Sequence, residues 1–170
     1  LYGTDYNEKD HWIQPPYNTC AIVGSNTFFN ANGIIAADRK VHPSIHEVRK
    51  VYCEVEIKAI DAARGSYILK NKQLFSDLTK FDIKYLIEEN GEKLSEGLLD
   101  RALFEKLQPL SEKEFTFDCS SFLDRKGEVI ITFSYLRREA CRFAPAGYEQ
   151  GWDQFILKAA DEKEKTLYED

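Results

Sequence analysis

Residues 29–57 have the sequence FNANGIIAADRKVHPSIHEVRKVYCEVEI, and this stretch decides the architecture of the chain. The Asn-Gly pair at 32–33 predicts a turn, because both residue types tolerate a positive φ. The apolar run at 34–37 predicts a short strand that is buried on both of its faces. Pro43 suits the first turn of a helix, so a helix is expected to follow that strand closely.

In the second half of this stretch the spacing of apolar residues changes from that of a helix to the alternation of a β-strand. Ile45, Val48 and Tyr52 fall on one face of the predicted helix. From residue 51 onward apolar and polar residues alternate, which predicts a strand over 51–57. Its inward-facing positions are Val51, Cys53, Val55 and Ile57. A strand–helix unit therefore runs directly into an all-β region.

The composition is that of an acidic globular protein. The 170 residues are enough for one domain, or for one domain and a piece of another. A hydrophobic content of 43% can build a core, and no apolar run approaches the ~20 residues of a membrane span. The net charge of −6 argues against nucleic acid and against an anionic membrane as partners, because both repel an acidic surface. The chain begins at Leu1 and contains no methionine, which predicts a processed product or an excised fragment.

The cysteines show no metal-binding pattern. They lie at positions 20, 53, 119 and 141, with no C-x-x-C pair and with irregular spacing, which argues against a zinc site. Cys53 and Cys119 occupy apolar positions of predicted strands, where a thiol behaves as a small hydrophobe. We therefore predict that these two are buried free thiols, and the sequence leaves the redox compartment open.

Regularly spaced strands are predicted from residue 51 to residue 157. They cover 51–57, 66–71, 81–87, 93–97, 115–119, 129–135 and 151–157. Asn90-Gly91, between two of these strands, is the strongest hairpin signal of the chain. Residues 98–107 have helical spacing and are expected to form either a helix or an irregular edge. Six or seven short antiparallel strands in about 110 residues are typical of an immunoglobulin-like β-sandwich.

Several short motifs occur in a fixed order along residues 26–158. They are Asn32-Gly33-Ile34-Ile35, Asp38-Arg39, His42-Pro43, Glu47 to Tyr52, Asn71 to Phe75, Phe81 to Tyr85 and Ala146 to Phe155. In this order and spacing they resemble the glycoside hydrolase family 2 β-galactosidases. The similarity extends from the end of the catalytic barrel through the immunoglobulin-like domain that follows it.

The resemblance implies a mainly β fold in three parts. Residues 1–50 would be the tail of a (β/α)₈ barrel, with its last strand and last helix. Residues 51–158 would form the immunoglobulin-like antiparallel β-sandwich, and residues 159–170 a linker. The rest of the parent glycosidase chain is then the expected partner.

The resemblance also implies where a sugar would bind. The Phe29 backbone carbonyl and the Asn32 side chain match positions that hold a sodium ion beside the sugar's 6-hydroxyl, so Asn32 is the candidate substrate ligand and both are candidate metal ligands. Sodium is expected only in the intact parent enzyme, and no cofactor is expected for the isolated chain. Without the barrel, Asn32 would be an ordinary turn residue. Retaining glycosidases need two carboxyl groups ~5–5.5 Å apart, and no segment here matches the family's catalytic glutamates.

Two functions are consistent with these features. The first is a piece of a retaining glycoside hydrolase that acts on terminal β-galactosides, in which the sandwich links and braces the barrel and the isolated chain is inactive. The alternative is a freestanding immunoglobulin-like module that binds carbohydrate or protein, which exposed, coplanar aromatic side chains would favour. An orphaned apolar strand leaves a free edge, so self-association is a further expectation. The sequence does not indicate a compartment.

The remaining candidate site residues also have ordinary structural explanations. His42 and His46 could suggest a metal pair, but Pro43 and the lack of an H-E-x-x-H pattern favour structural roles. Trp12, Tyr17 and Trp152 could form a sugar platform, although a core position is the expected one for Trp152. Glu88 and Glu89 have no neighbours in the sequence that would raise a carboxyl pKa, so an acid–base pair is not predicted there. Ser120 and Ser121 have no histidine partner in their sequence context, so neither is predicted to be a nucleophile.

Overall fold

The computed structural model describes residues 34–35 and 39–160, together with two short strands near the N-terminus. These strands, β1 (Tyr6–Asn7) and β2 (His11–Trp12), pair antiparallel. The chain divides into two compact units, residues 1–48 and residues 49–170. Of the predicted linker 159–170, only the first two residues are among those described.

The helix predicted after Pro43 is present, whereas the described part of the strand predicted before it, residues 34–35, is not buried. Helix α1 (Ser44–Val51) contains no fully buried residue, and no helix in the described part of the chain is long and apolar enough to cross a membrane. Ile34 and Ile35 are exposed, and Ile35 forms only an isolated bridge with Val41. A strand at this position can be buried on both faces only if other elements cover both faces. The described residues thus show no barrel remnant.

The change from helix to strand comes later than the alternation predicted. Val51 is the last residue of α1 and is 66% exposed, and Tyr52, expected on the packed helix face, is 79% exposed. The reason is a hydrogen bond from the Cys53 N–H to the Lys50 carbonyl (3.2 Å), which continues the helical path for one more turn. The inward phase then holds as predicted, because Cys53, Val55 and Ile57 are all buried.

Seven strands form the sandwich of the second unit. They are β3 (Val55–Asp61), β4 (Ser66–Asn71), β5 (Phe81–Glu89), β6 (Glu92–Leu98), β7 (Glu112–Thr116), β8 (Val129–Arg137) and β9 (Glu149–Lys158). One antiparallel sheet has the order β3-β4-β7 and the other the order β6-β5-β8-β9. This architecture confirms the predicted mainly β sandwich. The ambiguous 98–107 segment is an irregular edge that contains a 3₁₀ turn at Arg101–Leu103.

Aromatic rings from both sheets form the centre of the core. Tyr67 on β4 stacks on Phe115 of β7 at 5.5 Å and meets Phe133 of the opposite sheet edge-on at 5.2 Å. Such offset and edge-to-face arrangements are the favourable ones for ring pairs. Cys119 is buried beside this core and Cys53 near one end of the sandwich, and both are free thiols, as predicted.

A buried asparagine fixes the loop that follows β4. The Asn71 side chain is fully buried, and its Nδ2 donates to the carbonyls of Ser76 (2.9 Å), Leu107 (2.9 Å) and Gln108 (3.1 Å). Its Oδ1 accepts from the Gln73 N–H at 3.0 Å. Both ends of the amide are therefore satisfied, as a buried polar group requires.

Candidate functional site

The sugar and sodium ligands predicted from the sequence, Phe29 and Asn32, lie outside the residues that the structure describes. So do the Tyr17 ring and the Trp12 side chain, the other two members of the predicted sugar platform. The structure instead draws attention to a polar cluster where the chain enters the sandwich, formed by Lys50, the Ile57 N–H, Tyr135 and Asp153. We call this the junction cluster.

The Asp153 carboxylate is the centre of the junction cluster. It accepts hydrogen bonds from the Lys50 ammonium, from the Tyr135 hydroxyl and, at 2.8 Å, from the backbone N–H of Ile57. The Asp153 side chain is only 15% exposed. A carboxylate in this position is stable because three donors, one of them charged, replace the water that it loses.

Tyr135 remains a hydrogen-bond donor throughout the physiological pH range. Burial raises the pKa of its phenol well above the usual value, and the negative charge of Asp153 and the hydrogen bond to it raise that pKa further. The phenol therefore keeps its proton and cannot act as a general base near neutral pH. The chemistry of the junction cluster is structural: one carboxylate is held by one cation and two neutral donors.

Residues on both sides of the junction cluster attach the end of α1 to strand β9. The Arg49 guanidinium contacts the Glu149 carboxylate and donates to the Glu149 carbonyl, both at 3.3 Å. Lys50 also donates to the Trp152 carbonyl, and its ammonium lies 5.0 Å from the Trp152 ring centroid. Trp152 is 40% exposed on the outer face of the sheet, so the expected core position was wrong. The neighbouring Phe155 and Gly151 face inward instead.

Gly151 allows β9 to approach the start of β3 closely. A Cβ at this position would lie 2.7 Å from the Cys53 sulfur and 2.9 Å from the Cys53 Cβ, distances that no pair of these atoms tolerates. The buried Cys53 therefore occupies the space that a larger residue at 151 would need.

Two of the other sequence candidates, Ser120 and Glu89, have structural partners. The Ser120 hydroxyl donates to Asp118 at 2.7 Å, and this hydrogen bond lowers the pKa of the Asp118 carboxyl. Glu89 accepts from the Gly127 N–H at 3.0 Å and contacts Arg125 at 3.5 Å. Within the described residues no group of three or more His, Cys, Asp and Glu side chains could hold a metal ion.

The sequence contained a signal for the junction cluster that its periodicity alone did not explain. In β9, Gly151, Asp153, Phe155 and Leu157 share one phase, and three of them are small or apolar. An acidic residue on the inward phase of a strand must find buried donors. Its partners could not be found from the sequence, because Lys50 and Ile57 are about 100 residues away in the chain.

Comparison with known proteins identifies the family. A family model described as β-galactosidase, domain 4 matches residues 67–158, which is more than half of the chain. The chain belongs to the β-galactosidase domain 4 family. The matched region begins in β4 and ends at the last residue of β9, so it covers six of the seven sandwich strands and includes Tyr135 and Asp153.

Individual relatives of this β-galactosidase domain 4 chain are full-length enzymes. It is 32% identical over 133 residues to a β-galactosidase of Priestia megaterium, and these residues make up 77% of this chain and 12% of that enzyme. It is 28% identical over 130 residues to a β-galactosidase of Clostridium acetobutylicum, with 76% of this chain and 14% of the enzyme covered. For a β-galactosidase of Streptococcus thermophilus the identity is 30% over 131 residues, covering 76% of this chain and 12% of the enzyme. The chain thus spans only 12–14% of the length of these relatives.

Proposed function

We propose that this domain belongs to a β-galactosidase-type retaining glycoside hydrolase that cleaves terminal β-galactosides. In this proposal the domain is a structural brace for the catalytic barrel and supplies no catalytic residue. The observation that supports it best is the junction cluster, in which one partly buried carboxylate ties the residues entering the sandwich to strands β3, β8 and β9.

The junction cluster suits a brace because its geometry depends on all of its members. Removing one partner of an ion pair leaves the other charge uncompensated. For a fully buried pair this typically costs ~3–5 kcal/mol of stability. The Lys50 side chain is 34% exposed, so a smaller cost is expected here. These contacts hold the chain at the point where it enters the sandwich, and this is the property that a link to a neighbouring domain needs.

The isolated chain is expected to have no glycosidase activity. The reason is that a retaining glycosidase needs an acid/base and a nucleophilic carboxyl, and neither family motif occurs in this sequence. Release of nitrophenol from a nitrophenyl β-galactoside measures this directly, with the Priestia megaterium enzyme as the positive control. Turnover that persists through repeated purification would contradict the proposal.

The bracing role is tested in a chimera in which this chain replaces the matching region of the Priestia megaterium β-galactosidase. In that enzyme, Asp153→Asn is expected to shorten the half-life of activity at elevated temperature severalfold, because the amide cannot accept from all three donors. The value of kcat/KM at 25 °C is expected to stay within about twofold, because Asp153 lies outside the catalytic barrel in this proposal.

Glu96→Gln is the matched control for the chimera. Glu96 also accepts from two cations, Lys84 (2.7 Å) and Lys93 (2.8 Å), but all three side chains lie on the surface. Its loss is expected to leave the half-life unchanged, since surface ion pairs contribute little. If Asp153→Asn lowered kcat/KM without changing the half-life, the domain would have a catalytic role and the bracing proposal would be wrong.

The sodium and sugar contacts of Phe29 and Asn32 stay a proposal for the intact enzyme. They rest on the family resemblance of the Asn-Gly turn, and sodium is expected only when the whole barrel is present. In the chimera, Asn32→Ala is the variant that addresses them. It is expected to raise KM for the aryl galactoside and to remove any stimulation by sodium.

The alternative of a freestanding carbohydrate-binding module has weaker support at Trp152. An ammonium already lies over that ring, so one face of the indole is not free to stack on a sugar. Calorimetric titration with galactose, lactose and longer glycans, with and without sodium, separates the two functions. The bracing role predicts no heat up to millimolar sugar, whereas saturable binding would make the chain a binding module.

A further inference from the structure

One end of the sandwich opens into a surface cavity of about 320 Å³ that is separate from the junction cluster. Its walls come from the end of α1 and the residues after it, the residue before β5, the end of β8, the β8–β9 loop and the start of β9. We call it the mouth, and the lining residues that matter here are Arg49, Tyr52, Lys80, Arg137, Phe143 and Tyr148. A volume near 300 Å³ is at the lower limit for binding sites.

The mouth is positively charged although the whole chain is acidic. Arg49, Lys80 and Arg137 line it, against one carboxylate, Glu54, in a chain whose net charge is −6. Two of these cations have their own partners, because Lys80 contacts Glu54 at 2.9 Å and Arg49 contacts Glu149 at 3.3 Å. The charge left without a counter-ion is that of Arg137.

Arg137 occupies an unusual position for an arginine. It continues the inward phase of β8, after Phe133 and Tyr135, and is partly buried at the end of the strand. Its Nε is buried and has no hydrogen-bond acceptor, and no ion pair involves its guanidinium within the described residues. The Phe143 ring lies against the guanidinium, with its centroid 5.4 Å from Cζ. A buried N–H without an acceptor is costly, so this donor is a candidate for an acceptor supplied by a ligand.

The rim of the mouth consists of exposed aromatic rings. Tyr52 and Phe143 are each 79% exposed and Tyr148 is 42% exposed. Tyr, Phe and Arg are the residue types that concentrate in the buried centres of protein interfaces. A small anion would satisfy Arg137 but would leave these rings in water, whereas a polypeptide segment can cover both.

We propose that the mouth docks an acidic polypeptide segment, in which an Asp or Glu carboxylate pairs with Arg137 and adjacent apolar side chains cover Tyr52 and Phe143. The carboxylate accepts from the guanidinium in the charge-assisted geometry that arginine favours. This inference does not depend on the proposed bracing role, because it uses neither Asp153 nor Lys50.

The test begins with a displayed library of random peptides of about twelve residues, selected on the whole chain. The selected peptides are expected to share one Asp or Glu next to apolar residues. The strongest binder is then synthesised together with its Asn or Gln counterpart, and the counterpart is expected to bind at least tenfold more weakly. Backbone amide NMR shifts caused by the acidic peptide should be confined to the residues of the mouth.

Variants at Arg137 show whether the guanidinium is responsible. Arg137→Gln is expected to weaken binding of the acidic peptide at least tenfold, and Arg137→Lys, which keeps the charge without the planar fork, by a smaller factor. Arg125→Gln at the opposite end of β8 removes an arginine that pairs with Glu89, and it should leave binding within twofold. Circular dichroism melting shows whether each variant is folded. If Arg137→Gln does not fold, the binding of Arg137→Lys is compared with that of the unmodified chain instead.

Three results would overturn the proposal. The first is a set of selected peptides without a shared acidic residue, and the second is equal binding of the acidic peptide to Arg137→Gln and to the unmodified chain. The third is binding of free glucuronate as tight as that of the peptide, which would make the mouth a site for small acids. A loss of binding in Arg137→Gln with an unchanged Arg125→Gln would support it.

Discussion

At the scale of the residue, polar side chains on the inward phase of strands determine how the sandwich is held together. Asn71, Asp153 and Arg137 all occupy such positions, and they differ in the hydrogen-bond partners that their polar atoms have. Asn71 has backbone partners for both ends of its amide, and Asp153 has three donors. The Nε of Arg137 has no acceptor among the described residues, and the Phe143 ring lies against its guanidinium. The first two stabilise the fold, and the third is available for recognition.

Asn71→Asp is expected to lower the free energy of unfolding by about 3 kcal/mol or more. The new carboxylate would face the carbonyl oxygens of Leu107 and Gln108, to which the amide nitrogen now donates. Urea denaturation followed by tryptophan fluorescence measures the change. Asn90→Asp is the control, because Asn90 is exposed and uses its Oδ1, which Asp retains, to accept from the Glu128 N–H. Equal losses for the two variants would contradict this account of Asn71.

At the scale of the element, two tight turns with positive φ order the strands. The Asn90-Gly91 hairpin between β5 and β6 has φ values of 50° and 83°, which suit a two-residue turn that matches the twist of the strands. Gly65, in the turn between β3 and β4, has a φ of 68°. The two glycines share a backbone conformation, but their surroundings differ. A Cβ at Gly91 would meet nothing within 4 Å, whereas one at Gly65 would lie 1.9 Å from the Phe117 carbonyl oxygen.

Gly65→Ala is therefore expected to destabilise the chain much more than Gly91→Ala. The conformational cost of an alanine at positive φ is ~1–2 kcal/mol and applies to both variants. Only Gly65→Ala also has to displace the backbone at Phe117, where the Phe117 N–H donates to the Gly65 carbonyl at 2.8 Å. Thermal melting of both variants gives the difference. If Gly91→Ala were as damaging as Gly65→Ala, the clash would not be the cause.

At the scale of the whole molecule, buried phenols couple the stability of the sandwich to alkaline pH. Burial raises the pKa of Tyr67 far above its usual value, and the neighbouring Cys119 and Asp61 add to the shift. Burial likewise raises the pKa of Tyr135, with Asp153 as the next contribution. Because the folded pKa of each group exceeds the unfolded value of ~10, the stabilisation is complete below that pH and is lost as the pH rises toward the folded pKa.

The free energy of unfolding is therefore expected to fall above pH ~10, by up to ~1.4 kcal/mol per pH unit for each of the two phenols. Tyr135→Phe should remove one of these contributions and flatten the slope between pH 10 and pH 11. It also leaves Asp153 with one donor fewer, so its stability at neutral pH should be lower. Urea titrations at a series of pH values measure both effects. Tyr148→Phe, at an exposed position, is the control, and an unchanged slope in Tyr135→Phe would contradict the assignment.

The sequence by itself determined the elements and the phase of the sandwich. Alternation in β4, β5, β8 and β9 placed the core side chains correctly, because a side chain on every second residue must face the same way. The Asn90-Gly91 turn could also be predicted from the sequence, since few residue types adopt positive φ at low cost. The family resemblance followed from short motifs in order, and the family match over residues 67–158 agrees with it.

The tertiary structure alone decided which polar residues meet. Lys50, Ile57, Tyr135 and Asp153 belong to four elements or their ends, and they form one cluster only because two sheets pack together. It also placed the start of β3 at Val55, later than the alternation predicted, where a hydrogen bond from the Cys53 N–H to the Lys50 carbonyl lies at the helix end. Periodicity describes one element at a time, whereas the partners of a buried charge come from distant parts of the chain.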